Sequence, residues 1–169
     1  PVGVELAQGF RRLGPQVSLI EQASILSRSD PELVAVLRQQ LVDEGIDLRE
    51  STRVEQVSAS GGRIALATLS AAGERREVTG SHLLVAVGRK PRIEHLGLSA
   101  AGVEHTPQGV GVDAGQRTSN RRIFAIGDVA GAPQFIHTAG HQAGIVLRRA
   151  LFRLPARTER GAVPAVTYT

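Results

Sequence analysis

The stretch "PVGVELAQGFRRLGPQVSLIE", residues 1–21, decides the fold. Val4, Leu6, Ala7, Phe10 and Leu13 recur at helical spacing, so residues 3–13 are expected to form an amphipathic helix with Gly14 as its C′ residue. "QVSLIE" (16–21) alternates and then turns apolar, which reads as a short strand ending at Glu21. "SDPELVAVLRQQLVDEG" supplies the next helix. Asp30 can cap it, Pro31 fits the first helical position, and Leu33, Val34, Leu37 and Leu41 form an apolar stripe that Gly45 ends. "IDLRE" (46–50) is a second strand. Helix, strand, helix, strand is the mononucleotide-binding half of a doubly wound α/β sheet, with one strand expected ahead of Pro1.

Downstream the period changes. "TRVEQVSAS", "RIALATLS" and "REVTGS" are short alternating runs separated by "GG" and "AAGE", the pattern of a three-stranded antiparallel meander. "HLLVAVG" (82–88) is an apolar run that reads as a buried strand. "GVGVD" and "RRIFAIGD" read as strands, and residues 134–152 as a helix with Ala139, Gly140, Ala143 and Gly144 on one close-packing face. "LPARTERGAVP" is a polar connector, and "AVTYT" opens another strand.

Composition narrows the functional classes. The 169 residues are 41% hydrophobic, enough for one core or two small ones. The net charge of +4 comes from arginines scattered in pairs, and aromatics make up only 3%, so nucleic-acid binding has neither a charge run nor a stacking platform. No apolar stretch approaches the ~20 residues of a membrane span. Cysteine is absent, which excludes a disulfide or cysteine metal site within these residues and agrees with a cytoplasmic setting.

Three features carry chemistry. Gly3 can be the third glycine of a G-x-G-x-x-G fingerprint, letting helix and strand pack closely with the helix N-terminus aimed at a pyrophosphate; equally, it is a plain glycine near a helix start. Glu21 ends the following strand, where a carboxylate can accept from the adenosine ribose hydroxyls and repel a 2′-phosphate, favouring NAD over NADP; a solvated strand-end glutamate fits as well. "RRIFAIGDVAG" is the most specific: an apolar strand into Gly127-Asp128, then a small-residue helix, with Asp128 able to accept from a polyol hydroxyl such as a flavin's ribityl chain. His137 and His141 share a helical face as metal pairs do, but Thr138 stands where H-E-x-x-H needs glutamate, so no metal is expected. There is no G-x-S-x-G nucleophile motif.

Taken in order, these motifs make the chain resemble the FAD-dependent pyridine nucleotide–disulfide oxidoreductases, the group of dihydrolipoamide dehydrogenase, glutathione reductase and mercuric reductase. "PVGVELAQGFRRLG…VSLIE" is similar to the family's NAD(P) fingerprint from its third glycine onward. "LLVAVGRKPR" resembles the A-x-G-R-x-P-N segment, with Arg92 in place of asparagine; "IFAIGDVAG" resembles the second FAD motif, and "VPAVTYT" the first strand of the interface domain.

The resemblance implies an internal segment: a Rossmann-like NAD(P)-binding domain with its meander but without its first strand (1–86), the C-terminal part of an FAD-binding domain (87–156), and a linker with the start of the interface, or dimerisation, domain (157–169). It implies Gly3, Glu5, Glu21, Gly88 and Arg89 at the NAD site, with Glu5 near the nicotinamide. It implies Gly127, Asp128, His137, Thr138 and Ala139 at the FAD site, the last three presenting backbone to the flavin pyrimidine edge. NADP-using relatives carry two arginines just after the second strand; here those positions hold Glu21 and Ser27, with Arg28 one place away, so NAD is expected over NADP. The implied activity passes hydride from NADH through FAD to a disulfide or other small-molecule acceptor in a homodimer. No catalytic residue is expected in this segment, which alone would be inactive and hold FAD poorly. The alternative is a nucleotide-binding or regulatory module, or a non-disulfide flavoprotein reductase or NADH oxidase, without redox cysteines.

Overall fold

The computed structural model describes residues 1–131, 134–158 and 164–169. The chain divides into two compact units, Pro1–Val87 with Thr167–Thr169, and Gly88–Val166.

In the first unit, helix α1 (Val2–Arg12) leads into strand β1 (Ser18–Ile20), and helix α2 (Pro31–Asp43) into β2 (Asp47–Arg49). The two strands pair in parallel, Ser18 opposite Asp47 and Ile20 opposite Arg49. Asp30 caps α2 as expected, accepting the Glu32 N–H at 2.9 Å, with Pro31 in the first turn. Both helices stop at the expected glycines, Gly14 and Gly45. Val4 and Ala7 of α1 pack with Val34 and Leu41 of α2, and Leu19 and Leu48 line this core from the sheet. The stripes are narrower than the sequence suggests: Leu33, Leu6, Phe10 and Leu13 lie outside, exposed.

Glu44, just past α2, ties the two helices together. Arg12 holds its carboxylate in a two-pronged ion pair at 2.6 and 3.0 Å, Gln8 and Gln40 donate as well, and its backbone carbonyl accepts from Arg11 at 2.7 Å. Arg12 foremost, then Gln40, holds this carboxyl down to about 2.

The meander is as expected: β3 (Thr52–Ser60), β4 (Arg63–Ser70) and β5 (Arg75–Gly80) form one antiparallel sheet. Gly61 and Gly62 make the tight turn between β3 and β4, both at positive φ, as a two-residue type I′ hairpin loop requires. A bulge between Val54 and Gln56 bends β3.

The expected buried strand at 82–88 is not formed. Leu83, Leu84, Val85 and Val87 are exposed and take no part in a ladder among the described residues. Apolar sequence favours a strand only where a neighbour offers the other half of each hydrogen bond.

The second unit is built around a hairpin of β6 (His105–Thr106) and β7 (Gly109–Val110), a 3-10 turn at Gly127–Ala130, and helix α3 (Ile136–Ala150). Val103, Val110 and Ala125 form its core, with Ile93, Leu98 and Ile123 packed around them. "GVGVD" keeps only two residues of strand. "RRIFAIGD" is likewise no strand. It makes one bridge, Arg117 to Phe124, because residues 116–118 fold back on 123–125 through a short turn and leave no length for a ladder. "AVTYT" carries no strand either, and the connector 154–164 falls partly outside the described residues.

Candidate functional site

Two places gather the residues singled out by sequence, one in each unit. In the first unit α1 leads directly into β1, so the N-terminus of α1 and the carboxyl end of β1 lie at the same end of the sheet, where doubly wound folds take their ligands. A Cβ on Gly3 would stand 3.3 Å from the Ala86 Cβ, so this position is small because the helix crosses the chain at close range. Pro1, at the cap of α1, makes no side-chain hydrogen bond to the helix, and the partial positive charge of a helix N-terminus favours an anion. Glu5 is half-buried and accepts the Tyr168 N–H at 3.0 Å.

Glu21 extends the parallel ladder by one residue, its N–H donating to the Arg49 carbonyl at 2.9 Å. Its carboxylate oxygen Oε1 accepts the Ala23 N–H at 3.0 Å, which folds the next loop around the side chain. Sequence reasoning missed what holds that loop. Glu50, at the end of β2, accepts the buried Ile25 N–H at 2.8 Å and a two-pronged pair from Arg38 at 2.6 and 3.0 Å. The Arg38 bonds hold the Glu50 carboxyl below the usual carboxylate range against the opposing effect of burial, and the Ile25 N–H adds to the lowering. Glu50 stands at its strand end as Glu21 does at the neighbouring one, and that equivalence was the available signal.

The second place is the turn at Gly127-Asp128. Gly127 sits at φ 67, and a Cβ there would lie 3.2 Å from the Ala139 Cβ of α3. Asp128 Oδ2 accepts from Arg89 Nη1 at 2.9 Å. The structure thus joins Arg89, expected beside the pyridine nucleotide, to Asp128, expected at the flavin. Gly88, the residue before, lies at φ 124 with open space about its Cα. Thr138 is buried in the first turn of α3, and its Oγ1 has no hydrogen-bond partner among the described residues. His137 is exposed, stacks on Phe135 with ring centroids 5.1 Å apart, and lies with Nε2 2.7 Å from the Pro164 carbonyl oxygen. Gln142, also missed, accepts the Gly127 N–H at 2.6 Å. The expected close-packing face of small residues is not formed, since Gly140 and Gly144 are exposed with open space about them, and the buried positions of α3 are Thr138, Gln142 and Ile145. Among the described residues, no group of three His, Cys, Asp or Glu is placed to hold a metal ion, and no helix is long and apolar enough to cross a membrane.

The parallel pair with its helices and the three-stranded meander make a mixed α/β fold that matches that of solved flavoprotein disulfide reductases. The chain belongs to the pyridine nucleotide-disulphide oxidoreductase family, whose model matches residues 1–143. It is 37% identical to a mercuric reductase from Lysinibacillus sphaericus over 99% of this chain and 31% of that protein. It is 34% identical to a dihydrolipoyl dehydrogenase from Rhizobium etli, over 99% of this chain and 35% of the relative. The HOCl-induced flavoprotein disulfide reductase RclA from Escherichia coli, solved as a Cu(II) complex, superposes with a TM-score of 0.83 at 28% identity, over 92% of this chain and 35% of RclA. LpdA from Mycobacterium tuberculosis gives 0.83 at 26% identity, over 94% of this chain and 34% of LpdA. The chain therefore spans about a third of the length of the proteins it matches.

Proposed function

We infer that this chain contributes the pyridine-nucleotide side and part of the flavin side of an FAD-dependent oxidoreductase. The overall reaction takes hydride from NADH and delivers electrons to a disulfide or related acceptor. The observation that carries the reading is the Gly127-Asp128 turn: an acceptor carboxylate, paired with Arg89, on a turn whose Gly127 N–H is held by a helix with an orphaned buried hydroxyl, Thr138 Oγ1, in its first turn. An orphaned buried polar atom calls for a partner that a polar ligand supplies.

In this reading Asp128 accepts from the flavin's ribityl hydroxyls. Thr138 and the backbone at His137 and Ala139 meet its pyrimidine edge, where the partial positive charge at a helix N-terminus favours an anionic ring. Gly3 and the α1 N-terminus take the pyrophosphate of the nicotinamide cofactor, and Glu21 takes the adenosine ribose. Glu5 lies toward the nicotinamide, and Gly88 and Arg89 flank the dinucleotides. The bound flavin supplies two-electron acceptance from a hydride donor. The segment 1–86 is then the NAD-binding domain, 87–156 belongs to the FAD-binding domain, and 157–169 leads into the segment that makes a homodimer in a cytoplasmic enzyme.

NAD is favoured over NADP because Glu21 places a negative charge where a 2′-phosphate would sit. The test is anaerobic titration of the full-length protein containing this chain with NADH and NADPH. Bleaching of the flavin's visible absorbance by NADH at the lower concentration is expected. A protein that retains no flavin, or whose flavin NADH leaves oxidised, overturns the reading.

A further inference from the structure

The Gly127-Asp128 turn is gripped by α3 at two points on one helical face. Gly127 donates its N–H to the side-chain oxygen of Gln142 at 2.6 Å, in a buried bond. A backbone N–H can only donate, so the Gln142 amide must present its oxygen, and only one orientation of that amide serves. Gln142 is 9% exposed, which leaves little water to compete. Three residues earlier on the same face, the Ala139 methyl closes against the space a Gly127 Cβ would need, 3.2 Å away. Asp128 follows directly on this pinned peptide, and Arg89 holds the far end of its side chain.

We propose that Gln142 is a positioning residue for flavin recognition: by holding the Gly127 N–H it aims the Asp128 carboxylate at the hydroxyls of the flavin's polyol chain. The proposal rests on the reading of Asp128 as a flavin ligand. A buried amide costs free energy unless it is paired, and pairing it with the turn converts that cost into orientation.

The test uses the full-length protein containing this chain, loaded with FAD. Gln142→Met matches the amide in length but offers only a weak sulfur acceptor in place of the amide oxygen; Gln142→Glu keeps an acceptor oxygen. Met is expected to weaken FAD binding about tenfold, and Glu to stay within about threefold of wild type. On an Asp128→Ala background, Gln142→Met is expected to change affinity by less than about twofold, because its effect runs through Asp128. Wild-type affinity in the Met variant overturns the proposal. So does an equal loss from Met with and without Asp128, which a merely structural glutamine would give. A wild-type protein that binds no FAD sinks the reading of Asp128 and the proposal with it. Intact wild-type binding separates the other failures from that one.

Discussion

Arg89 and Asp128, 39 residues apart in sequence, meet in an ion pair 2.9 Å long. Both side chains are more than a third exposed, at 62% and 38%, so solvent screens the pair. Arg89→Ala is therefore expected to change the unfolding free energy by less than about 1 kcal/mol, as urea denaturation would read it. Asp128→Asn should act on binding instead. Loss of a charge-assisted acceptor is worth about 1.5–3 kcal/mol, so flavin affinity should fall by about tenfold to a hundredfold in a fluorescence titration.

Glu21 is tested by cofactor choice. On the proposed reading, Glu21→Ala removes both the ribose acceptor and the charge opposing a 2′-phosphate. The kcat/KM ratio for NADPH over NADH should rise by about tenfold or more in steady-state assays of the full-length enzyme. An unchanged ratio would show that another residue reads the ribose.

Glu50→Ala should cost about 1–2 kcal/mol, the lower end of what its charged hydrogen bonds suggest because Arg38 is partly solvated. The variant strands the buried Ile25 N–H and frees the loop that follows Glu21. Faster hydrogen exchange at Ile25, with α1 unaffected, is the accompanying signature.

Glu44 gives a pH dependence. Its carboxyl is lowered from 4.5 to about 2 in the folded chain, so the unfolded state binds the proton first as acid is added. The stabilisation is complete above pH 4.5 and is lost as pH falls through about 2. Asp47, Glu50 and Asp113 are lowered as well and share this direction. Glu44→Gln should therefore flatten, without abolishing, the acid slope of stability measured by thermal melts across that window.

Two glycines should respond in opposite directions. A Cβ on Gly109 would stand 2.6 Å from the Val129 carbonyl oxygen, with φ at 134, so Gly109→Ala should cost more than about 2 kcal/mol. Gly9, inside α1, has open space where its Cβ would go. Gly9→Ala should raise stability by about 0.5–1 kcal/mol through helix propensity, readable as a higher Tm.

What the sequence revealed divides along a physical line. α1, α2 and the meander were legible because periodicity, the Asp30-Pro31 cap and the Gly61-Gly62 turn are local signals. The strands expected at 82–88 and 121–128 were not formed, since a strand depends on a partner that its own residues do not encode. The site divides in the same way. Glu21 and Asp128 are candidates that strand-end position and motif single out. Glu50 and Gln142 act through the Ile25 and Gly127 amides, 25 and 15 residues away, and no local pattern reports such bonds.

The run from Leu83 to Val87 has a consequence for handling the protein. Its branched and aliphatic side chains are exposed, and its backbone is in no ladder among the described residues. Such a segment is an open template for intermolecular β-pairing. In concentrated preparations of residues 1–169 alone, self-association should nucleate here, and a charge introduced at Val85 should keep that chain in solution longer.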